Sequence, residues 1–220
     1  MKKHFLIGAL LSAMPVAAMA DSSATVDIDL HASSIGAGVG FAIPLSNNVA
    51  GRISLSKLNY NFQTSQDQIN YDATFKLGSV AALADWHVFG GFTHLTAGVI
   101  FNNNDFSMSG VPSGSTFTID GTTYTTAQVS SLNATVTFNK VAPYLGFGWS
   151  GRASKTGWSF KSDIGVMFIG APKSQLSITG SMASDPATMN HVANAQAQLD
   201  QDLEKIKLYP VVSLGIAYAF

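Results

Sequence analysis

The last thirteen residues, LYPVVSLGIAYAF, put Leu208, Val212, Leu214, Ile216, Tyr218 and Phe220 on one face of an extended chain. Val211, Ser213, Gly215, Ala217 and Ala219 fall on the other. Strict alternation over about ten residues predicts a β-strand. A soluble sandwich strand also alternates, but its second face meets water and carries Lys, Glu or Thr. Here the second face is small, which suits a crowded interior. The same phase recurs in Ile35, Ala37, Val39, Phe41 and Ile43, which alternate with Gly36, Gly38, Gly40 and Ala42. It recurs again in Thr93–Phe101, Val141–Ser150 and Trp158–Phe168. Strands of about 9–11 residues, apolar outward and small or polar inward, are what a bilayer-crossing sheet requires. Pro143 and Pro210 sit inside two of these runs, and a lost ladder hydrogen bond predicts a local bulge at each.

Counted back from Phe220, the pattern gives strands near 206–220, 157–169, 135–150, 91–106, 70–88, 49–62, 34–44 and 24–32. Connections on one side are short and rich in Gly, Asn or Ser: Ser46-Asn47-Asn48, Phe89-Gly90-Gly91 and 151–157. On the other side Ser33-Ser34 is short, but 63–69, 107–134 and 170–205 lengthen steadily. Within 107–134, Thr116–Thr125 reads as a hairpin around a type I′ Asp120-Gly121 turn. Within 170–205, Asp185 offers an N-cap with Pro186 at N1, so a helix is expected from Pro186 to Lys205. Its apolar stripe, Val192, Leu199, Leu203 and Ile206, is thin and fits a helix resting on a rim or on the hairpin.

Composition sharpens this picture. Of 220 residues only 11% are charged, where a soluble domain carries roughly 25%. Yet mean hydropathy is only +0.21, and no segment after the first twenty residues approaches the ~18 apolar residues of a membrane helix. With no Cys, a disulfide framework and a thiolate metal site are excluded, and a net charge of −1 offers nothing to grip nucleic acid. Residues 1–20 have a basic start (Lys2, Lys3), a short apolar stretch and Ala18-Met19-Ala20, the pattern of a cleaved secretory leader. The mature chain is then expected to span 21–220.

The leader, the repeated strands, the segment Ala142-Pro143-Tyr144-Leu145-Gly146-Phe147-Gly148 and the ending Ile216-Ala217-Tyr218-Ala219-Phe220 resemble those of small bacterial outer-membrane barrels. The likeness is to the kind represented by outer-membrane proteins A, X and W. It implies an all-β fold: an eight-stranded antiparallel transmembrane β-barrel with one helix in a long extracellular loop, both chain ends facing the periplasm. It also implies that Tyr218 and Phe220 act as the signal read by the outer-membrane assembly machinery. Membrane lipids, lipopolysaccharide among them, are the implied surroundings of a monomeric barrel.

Strand phase then sorts the charges. Asp27, Asp29, His31, Arg52, Asp85, Lys140, Lys161 and Asp163 are expected to face inward, since a charge on the lipid face near mid-bilayer costs about 2–4 kcal/mol. An eight-stranded barrel is just wide enough for side chains to fill, so these groups should form an ion-paired network. The alternative is a path for protons or ions through Asp27, Asp29, Arg52 and Lys161. Tyr60, Phe62, Trp86, Phe89, Phe92, Trp149, Trp158, Tyr209, Tyr218 and Phe220 lie near strand ends and are expected to form interfacial girdles. His31 and Ser33 superficially resemble the His-x-Ser of outer-membrane lipid A deacylases, but they stand in the first strand, whereas that motif belongs late in such barrels. His87, His94 and His191 have no partner at motif spacing, and no cofactor or metal site is expected. The leading reading is a non-enzymatic structural or surface-interaction barrel acting through 107–134 and 170–205. The runner-up is a conduit for small, perhaps hydrophobic, solutes like outer-membrane protein W, and the third is a lipid A-modifying enzyme.

Overall fold

The computed structural model describes residues 25–66, 69–88, 91–150 and 156–220. The leader 1–20, Phe89 and most of the 151–157 turn lie outside the described residues. The elements are β1 (Asp27–Ser33), β2 (Gly36–Pro44), β3 (Val49–Gln66), β4 (Ile69–Trp86), β5 (Thr93–Asn102), β6 (Asp105–Pro112), β7 (Thr116–Ile119), β8 (Thr122–Thr125), β9 (Ser131–Thr137), β10 (Val141–Ser150), β11 (Gly157–Phe168), β12 (Lys173–Thr179), α1 (Pro186–Leu203) and β13 (Leu208–Ala219). One large antiparallel sheet and one helix dominate, and no helix among the described residues is long and apolar enough to cross a membrane.

Pairing runs from β4 through β3, β2, β1, β13, β11 and β10 to β5, and β5 pairs with β4 again. β4 serves two neighbours on that edge. Its second half, Ser79–Trp86, pairs with β5, while Ile69–Lys76 pairs with β6. β6 continues to β9 and then β12, so the sheet extends past the ring of pairings at one end. At the other end Phe220 meets the residue before β1, its amide donating to the Val26 carbonyl at 3.0 Å.

Burial along the ring of strands is inverted relative to a protein dissolved in water. Phe160, Trp158, Leu214 and Ile216 are 77, 75, 60 and 44% exposed, whereas Asp27, Asp29, Asp163 and Asp85 are between 2 and 5% exposed. Soluble interiors almost never bury acids while presenting rows of Leu, Ile and Phe outside. The outward row is continuous across registers: Leu30 faces Ile216, which faces Phe160, and Phe147 faces both Ile164 and Leu95.

Beyond the ring, a second small core joins Ile119, Tyr124, Val129, Ile178 and Val192, drawn from the β7–β8 hairpin, β12 and α1. The hairpin forms around Asp120 (φ 46°) and Gly121 (φ 74°), the two left-handed positions that a type I′ turn needs. Asp185 caps α1, accepting from the Thr188 amide and hydroxyl at 2.9 Å.

Several expectations change. β12 and most of β6 and β9 occupy stretches read from the sequence as loop, 107–134 and 170–205. No bulge interrupts the registers at Pro143 or Pro210. Pro210 lies past the end of β1, and its carbonyl accepts from the Ser34 hydroxyl on that side, so its missing N–H removes no ladder bond. Pro143 lies one position before the β10–β11 register begins at Tyr144. Tyr60 and Phe62 are not girdle residues. They share the face of Ser54 and Ser56, and they stack in turn with Phe75 and Phe106 above the ring, at centroid distances of 6.1, 5.8 and 4.5 Å. Tyr209 also turns inward, packing on Met167 and Ile169 and donating its hydroxyl to the Ser34 carbonyl.

Candidate functional site

The inward phase of β1, β3, β4, β5 and β11 assembles the charges into two linked groups. In the first, the Lys161 ammonium lies 3.1 Å from Asp27 and 3.3 Å from Asp29. Asp29 in turn is 2.7 Å from His31 Nδ1, and His31 Nε2 is 2.9 Å from the Ser56 hydroxyl. In the second, Arg52 is clamped between two acids. Its Nη2 donates to Asp85 at 3.0 Å and to Asp163 at 3.1 Å, and its Nε sits 2.9 Å from the other Asp85 oxygen. Asp163 also meets His94 Nε2 at 3.0 Å, His94 Nδ1 meets Ser150 at 3.2 Å, and Thr96 donates to Asp85 at 2.7 Å. Four carboxylates thus face one lysine, one arginine and two imidazoles. Buried ions survive only when paired and hydrogen-bonded, and each of these has at least one such partner.

The glycines of the strand pattern make room for these groups. A Cβ on Gly40 would fall within 2.2 Å of the Asp29 carboxylate. One on Gly148 would fall 2.6 Å from His94 Nε2 and 2.8 Å from Asp163. Toward the β6 side the charges are capped by an apolar cluster of Ile35, Ile100, Tyr144, Met167, Ile169 and Val211. Between them remains a cavity of about 40 Å³ bordered by Asp29, His31, Arg52, Ser56, Lys161 and Asp163. It has room for about one or two waters.

Asp29, His31 and Ser56 have the hydrogen-bond order of a nucleophile–base–acid triad. The 40 Å³ cavity that Asp29, His31 and Ser56 border together admits no acyl substrate, and the wider groove that Ser56 also lines is bordered by neither Asp29 nor His31. The His-x-Ser motif forms no dyad: the Ser33 hydroxyl donates to the Gly36 carbonyl at 2.7 Å, and both His31 nitrogens are engaged elsewhere. Among the described residues no group of three His, Asp or Glu side chains is arranged to hold a metal ion.

The architecture has solved counterparts. Acinetobacter baumannii CarO2 superposes with a TM-score of 0.60 at 16% identity, covering 89% of this chain and 98% of that one. Acinetobacter baumannii CarO gives 0.59 at 18% identity, with the same coverage of each chain. This chain shares their fold. At that identity the likeness is one of fold alone, and it is not specifically to outer-membrane proteins A, X or W. No protein-family model matches the chain, and no curated protein matches it.

Of the eight residues expected to face inward, seven join the buried groups: Asp27, Asp29, His31, Arg52, Asp85, Lys161 and Asp163. Lys140 does not. It sits in the bend before β10, is exposed, and makes no ion pair among the described residues. The phase of β10 had been carried one residue past the start of the strand. Thr96, Ser150 and Ser56 are members that the sequence did not single out, and His94, which has no partner at motif spacing, finds Asp163 and Ser150; these contacts span 11 to 69 residues of chain. Outside the ring, His191 is not isolated either. With Asn194 and Gln198 of α1 it holds Asp120 at the tip of the hairpin, at 3.3, 3.0 and 3.5 Å. The Asn194 amide first, then His191, holds the Asp120 carboxyl below its ordinary value of 3.8. A similar tie joins Asp200 of α1 to the Ser174 amide and hydroxyl on β12.

Proposed function

We propose that this chain is an integral protein of the bacterial outer membrane, an eight-stranded closed barrel sealed across its lumen that presents a folded module to the outside. The observation that carries this reading is the inverted burial: apolar rows outside, paired charges inside. The unbroken return of pairing from β5 to β4 supports closure, and the eight strands in that ring give the even count of bacterial single-chain barrels. Both chain ends then face the periplasm after a leader is removed. Trp86, Phe92, Trp149, Trp158, Tyr218 and Phe220 form the girdle at that end, with Tyr218 and Phe220 as the assembly signal. The lumenal groups, His31 and Lys161 included, lock neighbouring strands together and fill the bore. The module of β6–β9, β12 and α1 is the interaction surface on a monomeric barrel.

A conduit for apolar solutes would require the Ile100, Met167 and Ile169 cap to part and the ions beneath it to separate, so the sealed reading stands first. Two measurements test it. Unboiled protein should migrate differently from boiled protein on a denaturing gel, and planar bilayers should show no reproducible conductance. Soluble behaviour with no gel shift would refute the barrel, and a conductance abolished by Asp29→Asn or Arg52→Met would refute the seal.

A further inference from the structure

The outward face of the ring changes character along a sharp line. On β3 the apolar row Ile53, Leu55 gives way to Lys57, and Phe101 near the end of β5 gives way to Asn103 just past it. Before β10 the same step falls between Val141 and Lys140. Immediately on the apolar side of that line lies a broad open groove of about 910 Å³, more than twenty times the interior cavity and within the range of about 300–1,000 Å³ typical of ligand sites. Its floor is built from Val39, Leu55, Val80, Phe101 and Val141, one from each of β2, β3, β4, β5 and β10. Five neighbouring strands at a spacing of about 4.8 Å make it roughly 19 Å across, wider than a single acyl chain.

Two cations stand at its polar margin, and among the described residues no acid lines it. Lys57 lies between Ala37 and Gly78 in the register, so neither cross-strand neighbour neutralises it. Lys140 is exposed beside Val141. Other lysines at this level are differently placed: Lys76 faces Asp105 across the register, and Lys205 is paired with Asp202 at 2.8 Å. The groove therefore combines an apolar floor at lipid depth with two unneutralised ammonium groups at headgroup depth. Ammonium groups at such a boundary bind phosphate as point charges.

We infer that this groove is a binding site for a phosphorylated, multiply acylated lipid of the outer leaflet, with acyl chains on the five-strand floor and a phosphate between Lys57 and Lys140. This rests on the barrel reading above and names the lipid face that does the binding. Gly78 gives the inference a specific handle. It lies on the outward face and lines the groove, and a Cβ there meets nothing within 4 Å. A leucine at that position therefore projects into the space the chains would occupy.

The test is binding of bisphosphorylated hexa-acyl lipid A to the folded full chain in detergent micelles, read by native mass spectrometry. Lys57→Gln with Lys140→Gln should weaken binding about twenty-five-fold, fivefold for each phosphate-facing lysine. Gly78→Leu should weaken it at least tenfold. Lys173→Gln with Lys207→Gln removes the same charge away from the groove and should change affinity less than twofold. An equal loss in that distal pair, or equal binding of dephosphorylated lipid A or of phosphatidylglycerol, would overturn the site. The heat-dependent gel shift is read on every variant. Its retention with lost selectivity rejects the groove and leaves the barrel, whereas its absence from the parent chain rejects the barrel itself. Should Gly78→Leu fail to fold, the comparison of the two lysine pairs decides alone.

Discussion

Replacing Arg52 by Met tests the buried charges most severely. The guanidinium bridges Asp85 and Asp163, in contact with both at 2.9 to 3.3 Å, and all three side chains are less than a tenth exposed. Met keeps much of the volume but leaves two carboxylates facing each other, with Thr96 on one and His94 on the other as the remaining partners. Removing one member of such a buried pair costs about 3–5 kcal/mol. With a urea dependence of about 1–3 kcal/mol per molar, the unfolding midpoint should fall by about 2 M. The assay is reversible unfolding from lipid vesicles, followed by fluorescence of Trp86, Trp149 and Trp158 and by the gel shift. Adding Asp85→Asn and Asp163→Asn to the same chain should recover most of the loss, because no uncompensated charge then remains. An unfolding free energy for Arg52→Met within about 0.5 kcal/mol of the parent, the range of an ordinary surface change, would refute the reasoning.

Leu145→Arg, at the centre of the outward face of β10, should cost about 2–4 kcal/mol in a bilayer; a cost within about 0.5 kcal/mol in the same unfolding assay would mean that this face meets water. Gly148→Ala should cost about 1–3 kcal/mol by overpacking, since its Cβ would meet His94 Nε2 and the Ser162 carbonyl at 2.6 Å; calorimetry of the detergent-folded chain checks it. Asp120→Ala should raise amide exchange in β7 and β8 while leaving the ring strands unchanged. The contribution of Asp120 also has a defined pH sense. Its folded value lies below 3.8, so hairpin docking is fully present above that pH and is lost as pH falls through the lowered folded value; protection of β7–β8 that rises on acidification would contradict this.

The parts legible in the sequence were those with local signals. Two-residue periodicity found the ring strands to within a few residues, because bulky apolar side chains alternate with small or polar ones along each of them. Asp120-Gly121 and Asp185-Pro186 marked the hairpin and the helix start through backbone chemistry confined to a few residues. β6, β9 and β12 escaped because they stand above the apolar belt, where Ser, Thr and Asn occupy both faces and the alternation fades. Phase alone placed seven of the eight expected charges, but pairing could not be read from it. Asp163 and Arg52 meet across 111 residues, and His94 meets Asp163 across 69, distances that only the strand order closes. Tyr60 and Phe62 misled for a related reason: aromatic residues near a strand end suggest a girdle, whereas β3 runs on well past that boundary.

The most direct test of a lipid-facing exterior around a sealed interior uses the absence of native cysteine. Single cysteines at positions 53, 54, 55 and 56 of β3 alternate between the two faces, and at Ser54 and Ser56 the change is nearly isosteric. In lipid vesicles, a membrane-dissolved maleimide should label the chains carrying Ile53→Cys and Leu55→Cys, while a water-soluble maleimide labels none of the four. Labelling of 53 and 55 by the soluble reagent would show that the apolar rows face water, and labelling of 54 and 56 would show an open bore; either result contradicts a sealed barrel.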